Sequence, residues 1–212
     1  MLRIRGGLVM KIALIGATGN VGSKILAELL GRGHEVTGIV RHPEKFKSHP
    51  KLTGRRGEIT DEMALAQLLS GHDAVISSVR FLSSDPHILL RAVKNAGVKR
   101  LLVVGGAGSL EVAPGVQLVD DPKFPREYRD EALAGREFLN VLREEQELDW
   151  TFLSPSALFV PGERTGKFRL GTDQLLVDAD DRSMISQEDY AIALIDELEM
   201  PRHSRKRFTV GY

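Results

Sequence analysis

Cysteine is absent from all 212 residues. This excludes disulfides, thiolate metal sites and a cysteine nucleophile. Such a chain suits a reducing compartment, and a cytoplasmic location is the expectation. A charge of one sign is also lacking: Lys and Arg number 29, Asp and Glu 29, and the formal net charge is zero. No long-range field draws such a chain to nucleic acid or an anionic membrane, and neither is expected as a partner. No apolar run approaches the ~18 residues that a membrane span needs. The opening MLRIRGGLVM is basic, then briefly apolar, and too short and glycine-broken for a signal peptide. Residues 1–9 read as an extension ahead of the first strand, unless translation begins at Met10. Six histidines (34, 42, 49, 72, 87, 203) show no zinc spacing such as H-E-x-x-H, so no metal is expected. The basic pieces GRR (54–56) and HSRKR (203–207) stand isolated in a neutral chain and read as solvated edges.

What is present alternates. KIALIG (11–16), HEVTGIV (34–40), DAVISSV (73–79), RLLVVGG (100–106), DWTFLSP (149–155) and RFTVG (207–211) read as strands, with KLTGRRGEI (51–59) a weak, glycine-broken one. Helices are expected over 21–30, 61–70, 84–97, 126–147 and the ISQEDYAIALIDELE segment. In the first, Val21, Ile25, Leu26, Leu29 and Leu30 share one face and Lys24 and Glu28 the other. The last opens with a capping box from Ser186 to Asp189. Residues 107–125 read as a long loop at a strand's carboxyl end. Strands separated by single helices require crossovers, hence a parallel sheet covered on both faces. The expected fold class is α/β, a Rossmann-type doubly wound sheet, with order 3-2-1-4-5 by analogy and one domain over 10–212.

The stretch LIGATGNVGSKIL (14–26) spaces Gly16, Gly19 and Gly22 at three-residue intervals between a strand and a helix. Gly16 suits a tight turn, Gly19 the approach of a pyrophosphate, and Gly22 close helix–sheet packing. With Thr18, Asn20 and Val21, these residues are the candidate dinucleotide cradle, the phosphates meeting unpaired amides at the helix start. An NAD site ends its second strand with an acid. Here Glu35 lies at the strand's other end and Arg41 stands in the acid's place. A guanidinium there can fork onto a 2′-phosphate, which favours NADP(H) over NAD(H).

MKIALIGATGNVGSKI, VRHPEK, GHDAVISS, VVGGAGSLEVAPG, WTFLSPSALFVPGERTGKFRLG and ISQEDYAIALIDELE…RFTVGY together resemble the NADH-flavin reductases. That family lies in the atypical short-chain dehydrogenase/reductase superfamily, near the biliverdin-IXβ/flavin reductases and NmrA-like proteins. The resemblance covers residues 10 to 212 and implies a Rossmann-type fold with a nicotinamide cofactor. It implies that Gly57–Glu58 match a Gly-Asp pair contacting adenine, with Glu58 longer than the usual Asp. Ser77, Ser78 and Val79 match the segment flanking the adenosine ribose and phosphates. Gly105, Gly106 and on to Ser109 lie beside the nicotinamide, and Pro155, Ser156 and Ala157 close over the ring.

The superfamily's usual acid, a Tyr-x-x-x-Lys pair, is missing. Ala132 follows Tyr128 by four residues, Leu194 follows Tyr190, and Tyr212 is terminal. An alcohol dehydrogenase or epimerase mechanism therefore lacks its proton donor. Ser109 and Tyr128 remain as candidate catalytic residues: the first to hydrogen-bond the carboxamide or a substrate carbonyl, the second to border the substrate mouth. GERTG (162–166) either lids the substrate or makes a turn. Two functions fit. One is an NAD(P)H-dependent reductase passing hydride to FMN, FAD, riboflavin or a flavin-like acceptor. The other is a non-catalytic NADP(H) sensor of NmrA-like type. The first needs an open apolar slot beside the nicotinamide, the second a filled slot and an exposed partner surface.

Overall fold

The computed structural model describes residues 8–212. Most of the extension expected over 1–9 lies outside the described residues. The chain runs β1 (Lys11–Ile15), α1 (Asn20–Gly31), β2 (Glu35–Val40), β3 (Leu52–Arg56), α2 (Glu62–Leu69), β4 (Ala74–Ser77), α3 (Pro86–Asn95) and β5 (Arg100–Val104). It continues with β6 (Glu111–Ala113), β7 (Val116–Gln117), α4 (Arg126–Glu144), β8 (Asp149–Ser154), β9 (Leu158–Val160), β10 (Arg169–Gly171), β11 (Met184–Ser186), α5 (Gln187–Glu199) and β12 (Lys206–Gly211).

One eight-stranded sheet has the order β10-β12-β8-β5-β4-β1-β2-β3. Every pairing from β12 to β3 is parallel, and only β10 runs antiparallel, on the outer edge. The expected 3-2-1-4-5 order is present, extended by β8 and β12. This is a Rossmann-type fold. Central strands covered on both faces are apolar throughout, as a parallel sheet requires: all four residues of β4 are buried. One core packs Ile25 and Leu29 of α1 and the inner face of α5 against the sheet. The other packs α2, α3 and α4 against the opposite face.

Local chemistry sets the helix ends. Asp61 accepts from the Ala64 amide (3.0 Å), Asp85 from His87 (2.8 Å) and Ser186 from Asp189 (3.0 Å). Gly71 and Gly97 follow α2 and α3 with φ of +78° and +75°, a conformation that suits glycine at a helix end. No helix among the described residues is long and apolar enough to cross a membrane.

Several expectations are corrected. Residues 107–125 are not a plain loop: β6 and β7 form a hairpin about Pro114–Gly115, with Gly115 at φ +73°. The Pro-Gly pair was the available signal. The helix expected to 147 ends at Glu144. The short parallel pair β9/β11 was not anticipated; each strand has three residues, too few to show periodicity. Glu28, assigned to a polar face, is 9% exposed. It accepts bonds from Arg32 Nε (2.8 Å) and from Arg164 Nε and Nη2 (both 3.0 Å). Arg207, read as part of a solvated edge, is buried and ion-paired with Asp173 at 2.5 Å.

Candidate functional site

Because the strands are parallel, their carboxyl ends share one edge, where open α/β sheets bind ligands. The turn after β1, Arg41 after β2, Glu58 after β3, Ser77–Val79 ending β4, Gly105–Ser109 after β5 and Pro155–Ala157 after β8 all lie there.

The glycine turn is built from backbone contacts. Gly16 has φ +80°, and a Cβ on it would lie 2.2 Å from the Ser78 carbonyl oxygen, so the turn presses directly on the segment after β4. A Cβ on Gly22 would lie 2.1 Å from the Gly16 carbonyl oxygen. Gly19 differs: its φ is −69°, and its nearest neighbour would be that same oxygen at 3.3 Å, with the Ser78 oxygen at 4.0 Å. It is the glycine with room in front of it. Helices α2, α3 and α5 begin with side-chain caps; α1 and α4 do not, and of these two α4 has Glu127 in its first turn whereas α1 has no acid there. Among the described residues, the amides of Asn20, Val21 and Gly22 have no backbone acceptor. An uncapped helix start with free donors suits a phosphate, and the cradle therefore fits a dinucleotide.

On one flank Arg41 and Glu58 are both exposed. On the other, a cavity of about 390 Å³ opens between the turns after β5 and β8. Its floor and walls are Gly106–Gly108, Pro155–Ala157, Phe81, Leu118, Phe124, Pro125, Ala132 and Phe159, and Asp121, Lys123, Tyr128 and Glu131 also reach it. The walls are held from behind. Glu131 accepts from the amides of Phe81 (2.7 Å) and Leu82 (3.2 Å). Phe81 packs on Phe138 and Phe152 with ring centroids 5.3 and 6.0 Å away. Gly135 leaves the space for Phe81, since a Cβ there would approach its ring to 2.8 Å. Ser156 lines the cavity, but its hydroxyl donates to the Val210 carbonyl (3.0 Å) and is buried.

The candidate catalytic residues separate. Tyr128 borders the cavity and is 63% exposed. Ser109 does not line it. Ser109 is buried, and its hydroxyl lies 3.4 Å from Arg207 Nη1, so it turns inward rather than towards a carboxamide or substrate. Tyr190 is fully buried, donating to the Leu153 carbonyl (2.7 Å) and accepting from the Gly105 amide (3.3 Å). Burial raises its pKa, the Gly105 bond acting weakly against this. It braces the turns after β5 and β8 and offers no proton to a ligand.

The 162–166 segment is not part of the cavity wall. It straps α1 to α5: Arg164 reaches Glu28, and the amides of Thr165 and Gly166 donate to buried Asp189, both at 2.8 Å. Sequence reasoning missed Phe81 and Glu131 because the first lies in a three-residue 3-10 helix, too short to show periodicity, and the second on an exposed-looking helix face.

The family model for NAD(P)H-binding proteins matches residues 16–201. The uncharacterized protein YwnB of Bacillus subtilis is 42% identical over 213 residues, covering 95% of this chain and 98% of that one. A solved Bacteroides thetaiotaomicron structure, provisionally designated an epimerase, is 46% identical with a TM-score of 0.92, covering 97% of this chain and 98% of that one. A Streptococcus pneumoniae structure, provisionally designated an NADH-flavin reductase, is 34% identical with a TM-score of 0.80, covering 95% and 99%.

Proposed function

The chain belongs to the NAD(P)H-binding family, and from that premise we propose that it is an NADPH-preferring reductase whose acceptor is a flavin or flavin-like ring. The observation that carries this reading is the open apolar cavity beside Gly106 and Pro155. A sensor would need that slot filled. At about 390 Å³ it falls in the range of small-molecule sites, roughly 300–1,000 Å³. Its Phe, Pro and Ala walls suit a flat aromatic body.

The chain's own residues divide the work as follows. The amides of Asn20, Val21 and Gly22 hold the pyrophosphate, which Gly19 admits. Thr18 flanks it, Ser77–Val79 border the adenosine, and Arg41 takes the 2′-phosphate. Gly105 seats the turn against Phe152 and the Leu153 carbonyl, Gly106 leaves the nicotinamide face open, and Pro155 and Ser156 cover it. When bound, the nicotinamide supplies a hydride to the acceptor ring. Phe81, Phe124 and Phe159 keep the acceptor stacked and exclude water, so the protein contributes positioning rather than acid–base chemistry. The reduced acceptor takes its proton from water. An epimerase or carbonyl reductase needs a placed proton donor, and Tyr128, exposed and with Ala132 in the lysine's position, is poorly set for that task.

The test is NADPH oxidation with FMN, FAD, riboflavin and quinones in turn. Turnover with at least one flavin, faster with NADPH than with NADH, is expected. Tight NADPH binding without turnover on any acceptor would favour the sensor instead.

A further inference from the structure

We infer that Lys123 is the group that stabilises the negative charge an acceptor gains on reduction; this rests on the reductase reading above. An uncharged acceptor that takes a hydride gains one bond to hydrogen and one negative charge, and the bond that breaks is a C–H bond of the nicotinamide. Water then gives the proton and is left as hydroxide. Between those events the new charge lies among Phe81, Phe124, Pro125 and Phe159, whose side chains offer it no hydrogen bond. A charge in apolar surroundings is costly unless it is paired, so a cationic donor on the wall lowers the barrier.

Among the described residues that line the cavity, Lys123 is the one cation. The other polar groups are committed elsewhere or carry no positive charge. The Ser156 hydroxyl donates to the Val210 carbonyl, and Tyr128 is a neutral phenol open to solvent. Glu131 is held by the amides of Phe81 and Leu82, with Arg80 Nε 3.7 Å away. Asp121 accepts from the Lys123 amide at 2.8 Å, and Asp120 pairs with Arg136 at 2.8 Å. The Lys123 ammonium forms no ion pair with either aspartate, or with any acid among the described residues. The backbone that carries it is fastened to the turn after β5. The amides of Leu118 and Val119 donate to the carbonyls of Leu110 (2.8 Å) and Gly108 (2.9 Å), and the Phe124 amide donates to the Asp121 carbonyl (2.9 Å). Lys123 is thus tied to the turn that the nicotinamide faces in this reading. Its apolar stem suits the cavity wall while its head meets the polar edge of the acceptor.

Lys123 is exposed, and an exposed lysine is ordinarily only solvated. A lysine at a cavity mouth also suits the phosphate of a nucleotide acceptor. Riboflavin carries no phosphate, and so it is the probe that separates these roles. The full-length protein, wild type and Lys123→Gln, is titrated without oxygen with oxidised and with dithionite-reduced riboflavin, at a mildly alkaline pH where the reduced ring is an anion. Lys123→Gln should bind reduced riboflavin roughly tenfold more weakly, the scale of a charge-assisted hydrogen bond, and oxidised riboflavin within twofold of the wild type. With NADPH and riboflavin, kcat should fall by the same order, and Lys123→Arg should recover most of it. NADPH affinity should be unchanged in both variants, and thermal melts confirm that both are folded. Equal losses for the two redox forms, or no loss for either, would overturn the inference and leave Lys123 as a plain contact or a solvated residue. A loss seen with FMN but not with riboflavin would also overturn it, making Lys123 a phosphate anchor. If the wild type neither binds riboflavin nor reduces any flavin with NADPH, the reductase reading itself fails and takes the inference with it.

Discussion

The glycines of the first turn have different neighbours, and the structure predicts that Gly19 and Gly22 fail in different ways. A Cβ at position 22 would lie 2.1 Å from the Gly16 oxygen and 3.2 Å from Ala17 Cα, both backbone atoms with no side-chain freedom to yield. Gly22→Ala must therefore push α1 off the turn by more than an ångström. Overpacking of this kind costs up to ~3 kcal/mol, and the better helix propensity of Ala returns ~1 kcal/mol. The net loss is ~2 kcal/mol, or roughly 4–8 °C in Tm for a chain of this size. At Gly19 the backbone is already extended, φ −69° and ψ 170°, and suits a β-branched residue. A Cβ there meets only the Gly16 oxygen at 3.3 Å, a strain of tenths of an ångström. Gly19→Val should melt within ~2 °C of the wild type. It puts a side chain where the pyrophosphate approaches, and losing two charge-assisted bonds there lowers NADPH affinity about 100-fold. Scanning calorimetry with NADPH fluorescence titration measures both. Wild-type affinity in folded Gly19→Val, or a wild-type melt for Gly22→Ala, would refute this assignment of roles.

Other expectations follow from the same geometry. Arg41→Ala should weaken NADPH by roughly tenfold and leave NADH nearly unchanged; equal losses in paired titrations would remove the basis for NADPH preference. Tyr128→Phe should keep flavin reduction within a fewfold, since a required acid contributes ~10²–10⁴-fold; a hundredfold loss with cofactor binding intact would point to a carbonyl acceptor protonated by Tyr128. For Glu28, burial opposes the charge, but the bonds from Arg164 and Arg32 outweigh it and hold the carboxyl below its ordinary value. A depressed pKa stabilises the fold above the unfolded carboxylate's pKa and is lost as pH falls through the folded value. Urea melts of Glu28→Gln should thus show lower stability than the wild type at neutral pH and a gap that narrows in acid; a gap independent of pH would argue that only packing was lost.

The candidate site was legible in outline because its signals are short-range. A glycine at three-residue spacing after an apolar run, Asp85–Pro86 and Ser186 at helix starts, and Arg41 where an acid usually stands are all local statements. They follow from turn conformations and helix capping, which neighbouring residues decide. Strand and helix alternation then restricted the topology through the handedness of crossovers.

The tertiary structure decided everything that depends on residues far apart in the chain. Glu28 reads as solvated until Arg164, 136 positions on, arrives over it. Arg207 reads as surface until β12 takes its place beside β8 and Asp173 pairs with it. Gly54 reads as a break in its strand, and only the register that aligns it with Gly38 under Phe46 makes the two a seat for the loop carrying Arg41. Ser109 looked available to a ligand until the fold turned it towards Arg207. The cavity has the same origin, its walls coming from the turns after β4, β5 and β8 and from α4. Burial and cavity shape are sums over non-local neighbours. Periodicity and turn chemistry report only on the next few residues, so they specified the elements and the candidate cradle but not what the elements enclose.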